Sequence, residues 1–174
     1  MKKDQINPMP EYFDRYINKT DDVTLEEVFE ISLRELENLP MSDYFALGER
    51  VYEEGKWTLN DIFQHLLDTE RVFTYRALAF ARNESDKVFS YDEDVYAKHA
   101  DANRRSLGDI ISELKLVRRS FIALYKSFTP EMLLRKGKGF KGEYSVLSIG
   151  FMMPGHQRWH MDVIKEKYLP LLNK

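Results

Sequence analysis

The sequence predicts an all-α domain built on about four main helices. Two observations lead there. Apolar residues recur at a 3.6-residue period in long segments, and each of these segments opens on a serine or threonine suited to capping a helix.

The elements follow in order. Pro8 and Pro10 introduce a short segment, residues 11–19, with the length for a helix of two or three turns. Thr24 stands as an N-cap, with Glu26 and Glu27 in the first turn to complement the helix dipole. Leu25, Val28, Phe29, Leu36 and Leu39 then share one face until Pro40 stops the helix. Thr58 and Asp61 resemble a capping box with Asp in place of Glu or Gln. From there Leu59, Ile62, Phe63, Leu66, Phe73, Ala77 and Phe80 carry an amphipathic pattern to about residue 83. A polar break over residues 83–91 is followed by a weaker helix over 92–103. Ser106 and Asp109 open a long amphipathic helix on Ile110, Leu114, Val117, Phe121, Leu124 and Phe128, ending at Thr129-Pro130. Residues 135–144 hold three glycines and four Lys or Arg residues and are expected to form a flexible loop. Ser145 starts the last helix, which ends before Pro170. Nothing recurs at a fixed period and no linker separates parts of the chain, so residues 1–174 are expected to form one domain.

Composition narrows the function classes. Hydrophobic residues make up 43% of the 174, enough for a sizeable core. A net charge of −3 gives no global pull toward nucleic acid or anionic lipid. Cysteine is absent, which excludes disulfides, thiolate ligands and a cysteine nucleophile. The N-terminal residues lack the apolar core of a secretory signal, and no run of about 18 apolar residues is present. The expectation is a cytoplasmic protein that handles a small molecule, with no membrane and no nucleic-acid partner.

Three of the four histidines carry the functional argument. His156 and His160 lie four residues apart, which on a helix separates them by about 40° and about 6 Å along the axis. Both fall in the stripe of Ile149, Met152 and Val163, where a buried polar group without a partner costs roughly 1–3 kcal/mol. Two accounts fit: a pair of core histidines, each bonded to a carbonyl or carboxylate, or a chelating pair for one metal ion. His65, at the rim of the apolar stripe of an earlier helix, can supply a third nitrogen. Three imidazoles with an open fourth position describe a catalytic metal site rather than a closed structural one. Glu70 falls near the middle of its helix's apolar stripe. It is a candidate for accepting an imidazole N–H, for general-base work, or, as the leading expectation, for pairing with a buried arginine. Asp68, near His65, is the second carboxylate candidate. His99 lies in a polar segment and is expected to be exposed.

Pro154-Gly155 precedes His156, and either kinks the last helix or marks its true start. Other motifs point nowhere. Gly137 to Gly142 matches G-x-G-x-x-G by letter but lacks a βαβ setting. The basic run 135–141 has no flanking basic surface. Gln157 stands where a His-Glu-x-x-His protease carries its glutamate.

Several segments together resemble the DinB-like superfamily: Gly55-Lys56-Trp57-Thr58, His65-Leu66-Leu67-Asp68-Thr69-Glu70-Arg71, Tyr75-Arg76-Ala77-Leu78-Ala79-Phe80-Ala81-Arg82, Tyr91-Asp92-Glu93-Asp94-Val95-Tyr96, and the closing stretch from Gly155-His156 through His160 to Lys167-Tyr168-Leu169. The similarity spans residues 10–169. It implies a four-helix bundle, a divalent metal (zinc or nickel) held at the positions of His65, His156 and His160, and a homodimer. It also implies one of two chemistries: activation of a low-molecular-weight thiol for transfer to an electrophile, or metal-dependent hydrolysis. Trp159 and Pro154 depart from residues usual in relatives without removing a ligand. The leading expectation is a thiol-dependent S-transferase. The alternatives are a metal-dependent hydrolase, with Glu70 or Asp68 relaying protons, and a metal-binding or oligomerisation module without turnover.

Overall fold

The structure, a computed structural model, describes residues 1–84, 88–139 and 142–173. In chain order the α-helices are α1 (Asp14–Ile17), α2 (Leu25–Glu37), α3 (Met41–Leu47), α4 (Leu59–Ala81), α5 (Glu93–Ala100), α6 (Leu107–Lys126), α7 (Pro130–Leu134) and α8 (Val146–Val163). A hairpin of β1 (Lys136–Gly139) and β2 (Gly142–Ser145) precedes α8. The caps that the sequence predicts for the four long helices are made. Thr24 and Glu27 form a reciprocal box at the start of α2, and Thr58 and Asp61 form one at the start of α4. Ser106 accepts the Asp109 N–H at 3.1 Å, and Ser145 accepts the Ser148 N–H at 3.0 Å.

α2 and α4 each pack against both α6 and α8, which makes a four-helix bundle. The core falls into two clusters. One takes Leu25 and Phe29 of α2, Phe73 and Phe80 of α4, Phe121 of α6 and Ile149 and Met152 of α8. The other takes Leu36, Leu59 with Leu67, Leu107 with Leu114, and Ile164 just beyond α8. The order in which each helix meets the clusters sets its direction: α2 and α8 run one way, α4 and α6 the other. Parallel neighbours need a crossover. The described residues between α4 and α6, α5 among them, lie along the outside of the bundle on the way from the end of α4 back to the start of α6. No helix among the described residues is long and apolar enough to cross a membrane.

The structure corrects several boundaries. Residues 135–144 are not a loop but the β1–β2 hairpin, with Gly137 opposite Tyr144; residues 140–141 lie outside the described set, as do 85–87 in the polar break. Packing overrides the loop-like composition. Tyr144 is buried against Phe13, Phe73 and Phe80, and Gly137 leaves room for the Phe80 ring, which a Cβ would meet at 2.0 Å. The segment at 11–19 makes one helical turn rather than two or three. The helix over 92–103 stops at Ala100, and α6 stops at Lys126, with Pro130 opening a separate short helix.

α8 runs unbroken through Pro154 and Gly155, which rules out a later start. Pro154 withholds one backbone donor from the preceding turn, and the helix continues across it. Gly155 serves a different need. A Cβ there would stand 1.9 Å from the carbonyl oxygen of Tyr16, so only glycine lets the α1 backbone lie against α8. That approach sets the Tyr16 ring against His156, with ring centroids 4.9 Å apart. Gly155→Ala is expected to lower unfolding free energy by about 1–3 kcal/mol, as overpacking does. Equilibrium denaturation measures it, and an unchanged midpoint would contradict the close approach.

Candidate metal centre

Between the two apolar clusters every long helix contributes a polar residue. Ser32 and Glu35 come from α2, Glu70 from α4, Arg118 from α6 and Gln157 from α8. Glu70 is 2% exposed and Arg118 1%. Arg118 Nε and Nη2 donate to the two Glu70 carboxylate oxygens at 2.6 and 2.9 Å, a bidentate pair. Its Nη1 donates to Gln157 Oε1 at 3.0 Å. Gln157 Nε2 in turn donates to the Ser32 carbonyl and to Glu35, each at 3.1 Å. Arg158 continues the network to Glu35 and Asp21. The buried-arginine reading of Glu70 thus describes what the structure holds.

His156 precedes Gln157 on this braced stretch of α8. Its Nε2 lies 3.2 Å from His65 Nε2 and 3.0 Å from His160 Nε2, and one ring nitrogen from each of the three lies within 4.8 Å of the others. An ion about 2.0–2.1 Å from each imidazole nitrogen spaces its ligands by about 2.9–3.4 Å, for angles between octahedral and tetrahedral. The donor set therefore fits one divalent ion. Its electrostatics fit as well, because only neutral imidazoles can ligate. Burial, with His160 nearby, lowers His65 to about 3. Burial lowers His160 to about 4. His156 falls well below its ordinary value through burial first, then His160, His65 and the Arg118 charge.

Outer contacts aim the rings. With Nε2 of His65 turned to the other imidazoles, its Nδ1 faces Thr69 Oγ1 at 3.5 Å, and that hydroxyl is 2.6 Å from the Tyr91 phenol. The Trp57 ring packs on His65 at 4.9 Å between centroids. Past Val163 the last helix opens into a π turn, Ile164–Tyr168, and the Tyr168 hydroxyl donates to the Trp57 carbonyl. The π turn thereby holds the loop that braces His65.

The imidazoles form one end of a cleft of about 200 Å³. α4 supplies one wall through His65, Thr69, Phe73 and Arg76. Tyr12 and Tyr16 approach from the α1 side, Tyr91 and Glu93 from the crossover, and Met152, Met153 and Trp159 from α8. Burial raises the Tyr16 and Tyr91 phenols to about 12, so both stay protonated. Neither carboxylate candidate lies on this wall. Glu70 is engaged by Arg118. Asp68 accepts from Gln64 at 3.0 Å, and burial holds its carboxyl above the usual range. His99 is exposed, with Nδ1 at 2.8 Å from the Val95 carbonyl oxygen. Trp159 lines the cleft, whereas Pro154 is buried within α8. Sequence reasoning assigned no role to Trp57, Thr69, Arg76, Tyr91 or Glu93, yet all five stand in the segments that carry the family resemblance. Tyr16 had no such signal.

Two expectations follow from this geometry. Glu70→Gln leaves Arg118 buried without its counter-charge and is expected to cost about 3–5 kcal/mol in unfolding free energy, against less than 1 for an exposed pair such as Arg119–Glu37. Equal losses from the two disruptions would contradict the role of the layer. The second expectation concerns pH. Unfolding frees three depressed imidazoles to bind protons, so in metal-free protein their contribution is whole above about pH 6.5. It is lost as pH falls toward 4 and then 3. Thermal melts of His65→Gln beside the parent should converge over that window, and a gap that widens on acidification would contradict it.

Comparison with curated protein sequences finds no match. Among solved structures, the chain is similar to YfiT from Bacillus subtilis, described as a probable metal-dependent hydrolase with an unusual four-helix bundle topology. The two are 20% identical, the match covers 94% of this chain and 89% of that one, and the TM-score is 0.67. The likeness shows a shared fold. The family model of the DinB superfamily matches residues 17–164, from the end of α1 to the end of α8, and the chain belongs to that superfamily.

Proposed function

We propose that the protein is a metal-dependent enzyme in which His65, His156 and His160 hold a divalent ion, zinc or nickel, and that it hydrolyses a small molecule bound in the adjoining cleft. The observation that carries this reading is the convergence of three neutral imidazole nitrogens at the end of a cleft lined by aromatic and polar groups. The description of YfiT as a probable metal-dependent hydrolase supports the hydrolytic reading. Bound there, a divalent ion supplies a Lewis acid that polarises a substrate oxygen or lowers the pKa of water toward about 7.

The chain's own residues do the rest. Arg118, paired with Glu70, fixes Gln157 and so the turn that carries His156. With a metal on Nε2, His65 would carry its proton on Nδ1, which faces Thr69 Oγ1 at 3.5 Å, and the Thr69 hydroxyl shares a hydrogen bond with Tyr91 on the cleft wall. Glu93, exposed, is the carboxylate on the cleft wall. Glu70 acts as a positioning residue through Arg118.

Thiol transfer is the second reading, and one observation favours it. A second opening of about 300 Å³, lined by Tyr52, Lys56 and Asp94, shares Trp57 and His160 with the first. Two openings give two reactants separate routes: an external thiol, which the cysteine-free chain cannot supply itself, and an electrophile. Turnover of an ester, amide and phosphoester panel by metal-loaded protein separates the readings. Hydrolysis predicts activity without thiol, abolished by chelation and reduced in His65→Ala by more than the about 10–100-fold typical of outer partners. Activity that requires added thiol would establish transfer. A chelation-sensitive melting temperature with no turnover of either kind would leave a structural metal module.

A further inference from the structure

Arg76 is the other arginine buried as deeply as Arg118, at 1% exposure, but its surroundings are opposite. Arg118 has a carboxylate on two of its donors. Arg76 has no carboxylate partner among the described residues. Its Nη1 donates to the Tyr144 hydroxyl at 3.2 Å and its Nη2 to the Phe89 carbonyl at 2.8 Å. Its Nε is the one buried side-chain nitrogen or oxygen among the described residues without a hydrogen-bond partner. The guanidinium keeps its charge under all ordinary conditions. Two ring faces compensate in part, Phe73 at 4.6 Å and Tyr91 at 5.9 Å from the guanidinium carbon. A purely structural role, pinning the crossover to the hairpin, accounts for Nη1 and Nη2. It does not account for a buried positive charge that lacks a counter-ion among the described residues, or for an unpartnered Nε.

Arg76 also lines the cleft that ends in the three histidines. His65, Thr69, Phe73 and Arg76 follow one another down α4 at helical spacing, so the arginine stands about 16 Å along the axis from His65. Between the two ends lie the apolar side chains of Phe13, Phe73, Met152 and Met153. The carboxylate on this wall, Glu93, is exposed and does not pair with Arg76.

We propose that the Arg76 end of the cleft binds the oxyanion of a small substrate, a carboxylate or phosphate group carried on an apolar body, and so holds that substrate with its reacting group toward the histidines. The proposal rests on the reading of the cleft as an active site and adds the substrate class. Arg76 supplies the charge, and the protonated Tyr91 beside it a further donor. The cleft volume is below the about 300–1,000 Å³ of pockets for drug-sized ligands, which suits a metabolite rather than a polymer.

The test is calorimetric titration of the full chain, both zinc-loaded and chelator-treated, with benzoate, phenylphosphonate and the neutral isostere benzamide. At least one anion is expected to bind tenfold or more tightly than benzamide in both forms of the protein. Arg76→Gln should abolish that preference while leaving benzamide binding and zinc content unchanged, and Arg76→Lys should retain part of it. Equal affinities, or no binding, would overturn the proposal. So would an anion preference that needs zinc and survives Arg76→Gln, because the anion then sits on the metal and only the metal reading stands. If Arg76→Gln does not fold, a crystal structure of the parent with benzoate decides. A carboxylate within about 3.2 Å of the Arg76 guanidinium supports the proposal, and one elsewhere overturns it.

Discussion

The bidentate pair between Glu70 and Arg118 is the constraint around which the bundle is arranged. It lies in a layer that cuts the apolar core in two, and each long helix must bring its polar residue to the same level to satisfy it. A buried pair of this kind adds little net stability over an apolar replacement, since desolvating two charges offsets most of their attraction. Its effect is on register. Sliding α4, α6 or α8 by one turn strands a charge or an amide, which costs far more than the pair contributes. His156 sits one residue and His160 three residues from Gln157 on α8, and His65 lies within two turns of Glu70 on α4, so the layer that fixes helix register also fixes where the imidazoles meet.

Topology explains why a cleft exists beside that layer. α4 and α6 are parallel neighbours, and the chain has to travel the length of the bundle between them. The returning segment passes over α4, where Phe89 takes a hydrogen bond from Arg76 and Tyr91 takes part in one with Thr69. It forms a wall that four antiparallel helices joined by short loops would lack. On the opposite side α1 closes against α8 at Gly155, placing Tyr16 over His156. The site is thus formed where two connecting segments cover one end of a register-locked pair of helices, as ligand sites in bundles often are.

Much of this was legible in the sequence. The four long helices and their caps follow from local rules that involve residues within one turn of each other, and those rules held at Thr24, Thr58, Ser106 and Ser145. The i, i+4 histidine pair on an apolar face was legible for the same reason, as was the need of Glu70 for a cationic partner. The partner's identity was not, because Arg118 lies 48 residues away and only the bundle's register brings it there. The hairpin was misjudged because three glycines and four basic residues look like a solvated loop, while what decides it is Tyr144 filling a hole between α1 and α4. Arg76 was equally silent. On a helical wheel it is one more arginine, and the lack of a carboxylate partner among the described residues is a property of the folded cleft alone.

The central claim is that these histidines form a metal site rather than a set of neutral core residues. Metal content by inductively coupled plasma mass spectrometry tests it most directly, on untagged parent protein and on a folded His156→Ala, His160→Ala double variant. The account predicts close to one zinc or nickel ion per chain in the parent and none in the variant. A parent that stays metal-free after reconstitution, or a double variant that keeps its metal, would contradict it.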